Sequence, residues 1–187
     1  MTEPVDYCEY LKGRSRIGWL YRRYWLYPLL CRHLDGRVLD VGCGIGDFLR
    51  FRPDTVGVDV NPATVAWCRG LGLDARIMIP DELPFADAAF RGVVLDNVLE
   101  HLESPRALLV DIRRVLQPGG RFLIGVPGKR GFASDPDHKL AYSAESLQSA
   151  IEALGFRKCR LFYTPLRSDW LDRRMRQYCL YGVFERV

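Results

Sequence analysis

"RVLDVGCGIGDFL", residues 37–49, follows an apolar run with three glycines in five positions, Gly42, Gly44 and Gly46. An apolar run that stops at glycines is the pattern of a buried strand entering a tight turn, where the missing Cβ lets the backbone approach a ligand. In an open α/β sheet, ligands bind outside the carboxyl ends of the strands, and the helix that follows offers free N–H groups. The stretch therefore reads as strand, cradle and helix start.

Working outward, four more apolar runs repeat the strand pattern: 55–60, 74–79, 91–96 and 121–126. Helical stretches lie between them. Asn61-Pro62 opens one that reaches Gly70, and Ser104-Pro105 opens another that stops at Gln117-Pro118-Gly119-Gly120. Ser143 caps a third, with Leu147, Ile151 and Leu154 on its apolar face. Two further strand-like runs, 158–164 and 178–187, have no helix-length apolar pattern between them and predict an antiparallel pair at one sheet edge. Strands alternating with helices imply βαβ units and a parallel sheet.

The chain's 187 residues are enough to bury one core. None of the six cysteines forms a CxxC pair or sits close in sequence to a histidine, so no metal is expected, and a reduced, cytoplasmic setting is. The start, "MTEPVDYCEY", lacks the apolar core of a signal peptide, and "YWLYPLLC" (24–31) is far shorter than the ~20 residues of a membrane span. Charge is uneven: 7 Lys/Arg against 4 Asp/Glu over 1–37, 9 against 12 over 38–127, and 11 against 7 over 128–187. Two basic ends flank an acidic centre, a pattern of either solvated surface or contact with something anionic.

The cradle is G-x-G-x-G. The dinucleotide fingerprint needs a third glycine where this chain has Asp47, and no Gly-Lys-Ser/Thr occurs. A nicotinamide oxidoreductase is disfavoured for that reason. Asp40 stands two residues before Gly42, and Asp59 ends the next strand 17 residues on, where an acid grips ribose hydroxyls. A ribose, a cationic head and no pyrophosphate point to S-adenosylmethionine.

The chain resembles the class I S-adenosylmethionine-dependent methyltransferases of the small-molecule group called type 11. The resemblance rests on "VLDVGCGIGDF" (38–48), "GVDVNP" (57–62), "LPFADAAFRGVVLDNVLEHL" (83–102) and "VLQPGGRFLIGVP" (115–127), and covers roughly residues 37–165. It implies an α/β, Rossmann-like, doubly wound seven-stranded sheet, mostly parallel, with an antiparallel C-terminal strand at the edge. It also implies a single domain over 1–187, with 1–36 a helical lid or cover and 37–187 the core. By position, Asp40 would orient the methionine end, and Gly42, Cys43 and Gly44 would form the cradle. Asp59 would hold the ribose and Val60 would face the adenine. Asn97 and Val98 would wall the sulfonium. The family's adenine-reading acid and amide fall on Ile79 and Pro80, and proline has no N–H, so Asp81 is an alternative reader.

The reaction expected is an in-line methyl displacement leaving S-adenosylhomocysteine, with a general base where the nucleophile is a hydroxyl. His101, in "LEHL", and His138, in "DPDHKLAYSAE", are candidates for it, with Tyr142 a further acceptor-side candidate. Asp96 polarises a histidine, lines the pocket or is simply buried beside the sheet, and His33 reads as solvent-facing. Residues 14–34 interleave Trp19, Tyr21, Tyr24, Trp25 and Tyr27 with Arg14, Arg16, Arg22, Arg23 and Arg32. That composition suits a helix covering the sheet, a helix lying on an anionic membrane, or a nucleic-acid surface. "RSDWLDRRMRQY" (167–178) has the same flavour and is expected to join it around one pocket. No Asn/Asp-Pro-Pro-aromatic run follows the fourth strand and no Pro-Cys pair exists, which argues against nucleic-acid acceptors. A small-molecule, saccharide or lipid-linked acceptor, anionic and methylated on oxygen, is the expectation that remains. A non-catalytic cofactor-binding regulatory module is the alternative.

Overall fold

The computed structural model describes residues 4–13 and 15–187, with side chains from Tyr7 onward except at residue 14, so Arg14 lies outside the described residues. Seven strands form one sheet in the order β3-β2-β1-β4-β5-β7-β6. They are β1 (Val38–Val41), β2 (Thr55–Asp59), β3 (Ala75–Ile77), β4 (Phe90–Asp96), β5 (Leu116–Pro127), β6 (Phe156–Thr164) and β7 (Cys179–Arg186). The first five pair in parallel, whereas β7 is antiparallel to both β5 and β6. The fold class is as expected. Within it the C-terminal strand enters between β5 and β6, so the outermost strand on that side is β6.

β1 and β2 are buried along their whole length, as unbroken apolar runs in a two-faced parallel sheet must be. Side chains alternate between two cores. Leu39, Val93, Leu95, Phe122, Ile124 and Phe184 point to one face, packed under α6 (Arg106–Val115) and α8 (Ala144–Glu152). Val38, Val94, Leu123, Tyr181 and Val183 point to the other, under α3 (Tyr27–Cys31) through Leu30 and Leu34. α6 buries Leu108, Leu109, Ile112 and Val115, each contributing about 1.5–3 kcal/mol relative to exposure. Asn61 caps α5 (Pro62–Gly70) by accepting from Ala63 N–H at 2.8 Å. Ser143 and Ser146 form a reciprocal capping box on α8. Ser104 caps nothing: the N-cap of α6 is Pro105, with no side-chain bond, because the helix begins one residue later than the Ser-Pro signal implies.

Residues before β1 are helical: α1 (Pro4–Lys12), α2 (Arg16–Tyr21), a π-helical turn (Arg22–Leu26) and α3. α1 packs on α5 through Cys8, Leu11, Ile45 and Ala63. Among the described residues, no helix is long and apolar enough to cross a membrane.

Candidate functional site: a glycine turn between two acids

The site sits on the carboxyl ends of β1, β2 and β4. After β1 the chain turns through Gly42, Gly44 and Gly46, with φ of 76°, 52° and 77°. The Gly42 and Cys43 amides donate to the Val58 carbonyl at 2.8 and 3.0 Å, folding the turn back over the end of β2. Left-handed φ is costly for any residue with a Cβ. At Gly42 a Cβ would also overlap Val98 Cγ2.

Asp59 closes the turn from the other side. Its Oδ2 accepts the Gly44 amide at 2.8 Å and its Oδ1 the Asn61 amide at 2.9 Å. Burial pushes its carboxyl up, and the bonds from the Asn61 and Gly44 backbones pull it back. Asp40 is 5% exposed. Burial, then the charges of Asp96 and Asp59, hold its carboxyl well above the usual range. Arg22 lies close to Asp96 and Asp47. Burial opposes its charge, but Tyr27, Asp96, Tyr181 and Asp47 outweigh that and hold the guanidinium above its ordinary value. Two buried carboxylates and the half-buried Asp96, at the ends of three adjacent strands with one half-buried arginine nearby, suit a ligand carrying positive charge and disfavour a pyrophosphate.

Beside the turn, Val60 and Ile79 expose apolar surface, 54% and 58%. The Met78 N–H to Asp59 O bond of 3.1 Å ties the two segments together. Asp81 is exposed at φ 65°, in a turn closed by the Glu82 amide on Ile79 O. Leu11 of α1 lies over the turn, its Cδ1 3.1 Å from where a Cβ on Gly44 would stand. Lys12 Nζ stands 3.9 Å from the centre of the Trp67 ring on α5.

On the β4 side, Asp96 Oδ1 accepts from the Tyr181 hydroxyl at 2.8 Å and from the Asn97 side-chain amide at 2.9 Å. Val98 leads into one 3-10 turn, Leu99–His101. The Glu100 carbonyl accepts the Lys139 and Leu140 amides at 2.7 and 3.2 Å, which docks the loop after β5 against that turn. His101 and His138 are thereby brought together, ring centres 4.6 Å apart, and Phe132 stacks on His138 at 5.2 Å. Burial, then His138, lowers the His101 pKa. Tyr142 is half-buried, its hydroxyl pushed up by burial and by Glu100. Glu100 carries no role in the sequence analysis, yet it is 1% exposed, and burial pushes its carboxyl up to about 8. The signal available was an acid beside a histidine just past the fourth strand, where side chains meet the sheet's carboxyl edge.

Two expectations fail. His33 is half-buried against Phe162 rather than solvent-facing, and burial lowers its pKa. The two arginine-aromatic stretches also line separate clefts. Trp170, Arg174 and Arg176 share an open groove of about 480 Å³ with Arg130, whereas Trp19, Arg23 and Tyr27 line a small cleft with Asp47 and Arg50.

A family profile described as "Methyltransferase domain" matches residues 39–124. A probable S-adenosylmethionine-dependent methyltransferase of Mycolicibacterium smegmatis is 33% identical over 151 residues, covering 74% of this chain and 59% of that protein. A ubiquinone biosynthesis O-methyltransferase of Cereibacter sphaeroides is 35% identical over 94 residues, 45% of this chain and 38% of that one. An uncharacterised Methanocaldococcus jannaschii protein is 32% identical over 104 residues, 55% of this chain and 51% of its own length. The chain thus spans about half the length of the curated relatives it matches. In structure it is similar to an Aquifex aeolicus S-adenosylmethionine-dependent methyltransferase, with TM-score 0.71, 19% identity and all of both chains covered. It is similar also to the [4+2]-cyclase SpnF, with TM-score 0.69, 21% identity, 86% of this chain and 79% of that chain covered.

Proposed function

The chain belongs to the class I S-adenosylmethionine-dependent methyltransferases, and from that premise we propose that it transfers a methyl group to an oxygen of a small anionic acceptor. The observation that carries the reading is the pair of buried acids, Asp40 and Asp59, on neighbouring parallel strands either side of the glycine turn. When bound, S-adenosylmethionine supplies a methyl made electrophilic by its positive sulfur, and S-adenosylhomocysteine is the product.

The chain's own residues bind and orient. Asp59, with two lone pairs engaged by amides, keeps others for ribose hydroxyls. Asp40 takes the cationic methionine end. Gly42, Cys43 and Gly44 let the backbone approach, and Val60 lies against the adenine with Asp81 at its rim. Asn97 and Val98 bound the sulfur. His101, His138 and Tyr142 flank the acceptor. The His138 Nδ1–H donates to the Phe132 carbonyl at 2.9 Å, and Nε2 faces Glu100 Oε1 at 3.8 Å. The helices of 1–36 act as a cover on a core of 37–187, a division supported by Leu11 over the turn.

An anionic acceptor is supported by the groove of Arg130, Arg174, Arg176 and Trp170. A lipid-linked one is supported by exposed Ile17, Leu20, Tyr24 and Trp25 beside exposed Arg16 and Arg23, a surface suited to peripheral contact with an anionic membrane. A protein described as a cyclase has a similar fold, so the test must include turnover. Calorimetry should register S-adenosylmethionine binding that is lost in Asp59→Ala. S-adenosylhomocysteine should accumulate when an acidic metabolite fraction is added. Binding without turnover on any fraction favours the regulatory-module reading, and no binding ends both.

A further inference from the structure

We propose that Glu100, His101 and His138 hold one divalent transition-metal ion. One ligand atom from each lies within 4.8 Å of the others. The expectation of no metal rested on cysteine spacing, and this set uses no cysteine.

The geometry poses a question that an ion answers. Glu100 is 1% exposed and neither carboxyl oxygen has a hydrogen-bond partner. A buried carboxyl without partners loses several kcal/mol of hydration, so such groups are paired, bonded or bound to metal. The group facing it stands at ion-pair distance but makes no hydrogen bond to it. His138 Nε2 is 3.8 Å from Glu100 Oε1, beyond hydrogen-bond reach. Because Nδ1 faces a carbonyl, it carries a proton, and in the neutral ring Nε2 is the lone-pair atom, turned towards a carboxyl oxygen. A neutral ring and a carboxylate so placed repel unless a proton or a metal ion lies between them. Ligands of one tetrahedral zinc, at ~2.1 Å each, stand ~3.4 Å apart, so small shifts would close the present spacing on an ion. A proton on Glu100 would ease the charge but would leave the carboxyl's bonds unmade.

The supports expected around metal ligands are in place. The Phe132 carbonyl fixes the tautomer of His138, and the Asp137 backbone is hydrogen-bonded to the His101 ring. The two amides on Glu100 O pin one ligand segment to the other. Two imidazoles and one carboxylate favour Zn²⁺, Fe²⁺, Co²⁺ or Mn²⁺ over Ca²⁺ or Mg²⁺. Three protein ligands leave coordination positions for water or an acceptor oxygen. That last role rests on the methyl-transfer reading; the site itself does not.

The test uses chelator-stripped full-length protein titrated with Co²⁺ alone, followed by visible d–d absorption and by calorimetry with Zn²⁺. One ion should bind, without the thiolate charge-transfer bands that cysteine ligation would add. Affinity should fall at least about 100-fold in Glu100→Gln and in His138→Asn, and stay unchanged in His33→Asn. Zn²⁺ should raise the melting temperature of the wild type but not of Glu100→Gln, a readout that holds where a variant's basal stability differs. No binding, or equal binding by wild type and both ligand variants, overturns the site and leaves a proton or a water between Glu100 and His138. S-adenosylmethionine titration of the same samples separates this failure from failure of the methyl-transfer reading.

Discussion

The carboxylate of Asp59, at the end of β2, accepts the amide of Gly44 in the turn that leaves β1, at 2.8 Å. The acid assigned to the ribose therefore also holds the shape of the cradle. Asp59→Ala should lose both amide bonds, at roughly 1.5–3 kcal/mol for each bond to a charged acceptor. Asp59→Asn, with one acceptor oxygen left, should retain one bond and unfold between alanine and wild type in urea. A midpoint for Asp59→Ala equal to that of the wild type would show that the bonds to Gly44 and Asn61 contribute nothing.

Asp40 gives stability a pH dependence of known sign. Burial raises its folded pKa above 3.8. Below that value both states hold the proton and this group adds no slope. As pH rises further, the unfolded chain releases the proton that the fold retains, so stability falls until the folded carboxyl ionises too. Each unit of pKa difference corresponds to about 1.4 kcal/mol. Asp40→Asn should therefore gain on the wild type in thermal melts as pH rises above about 4. A constant difference across that range would contradict the assignment.

At Gly42 a side chain meets two separate penalties, the left-handed backbone and Val98. Gly42→Ala should cost at least about 1–2 kcal/mol from the backbone alone, with the overlap on Val98 added. The double variant Gly42→Ala/Val98→Ala should recover only the second part. A double-mutant cycle by calorimetric unfolding measures it, and strict additivity would mean that the two residues do not touch.

Leu11 covers the turn into which the methionine end is proposed to fit. Leu11→Ala should speed S-adenosylmethionine association several-fold in stopped-flow fluorescence, with Trp67, beneath Lys12, as the reporter. Unchanged association would place the entry path away from α1.

The groove makes a kinetic prediction. Arg174→Ala should raise KM for an anionic acceptor with little change in kcat or in S-adenosylmethionine affinity. Neutral acceptors should be indifferent to it.

Most of the sheet was legible because β1, β2, β4 and β5 are buried on both faces, and burial writes an apolar run bounded by glycine or an acid. The cradle was legible because its residues are adjacent in sequence. α1 has no apolar stripe of its own, burying only Cys8 and Leu11 among its described side chains, so a helical cover there was expected only through the resemblance. The Glu100, His101 and His138 cluster was half visible. The two histidines were readable one by one, but their meeting depends on amides of 139 and 140 reaching back to Glu100 O, a backbone contact without a sequence signature. The groove likewise joins Arg130, just past β5, to α9 (Asp169–Arg174), and only the path of β6 and β7 brings those segments together.

β7 lies inside the sheet rather than at its rim, and this orders events during synthesis. β5 and β6 both precede β7 in the chain, so each presents an open edge until β7 pairs with it. Tyr181, which holds Asp96, arrives only then. A chain cut before β7 would carry its glycine turn and both acids, yet would expose two sticky borders to its neighbours. Aggregation of such truncations is the cellular cost built into that strand order.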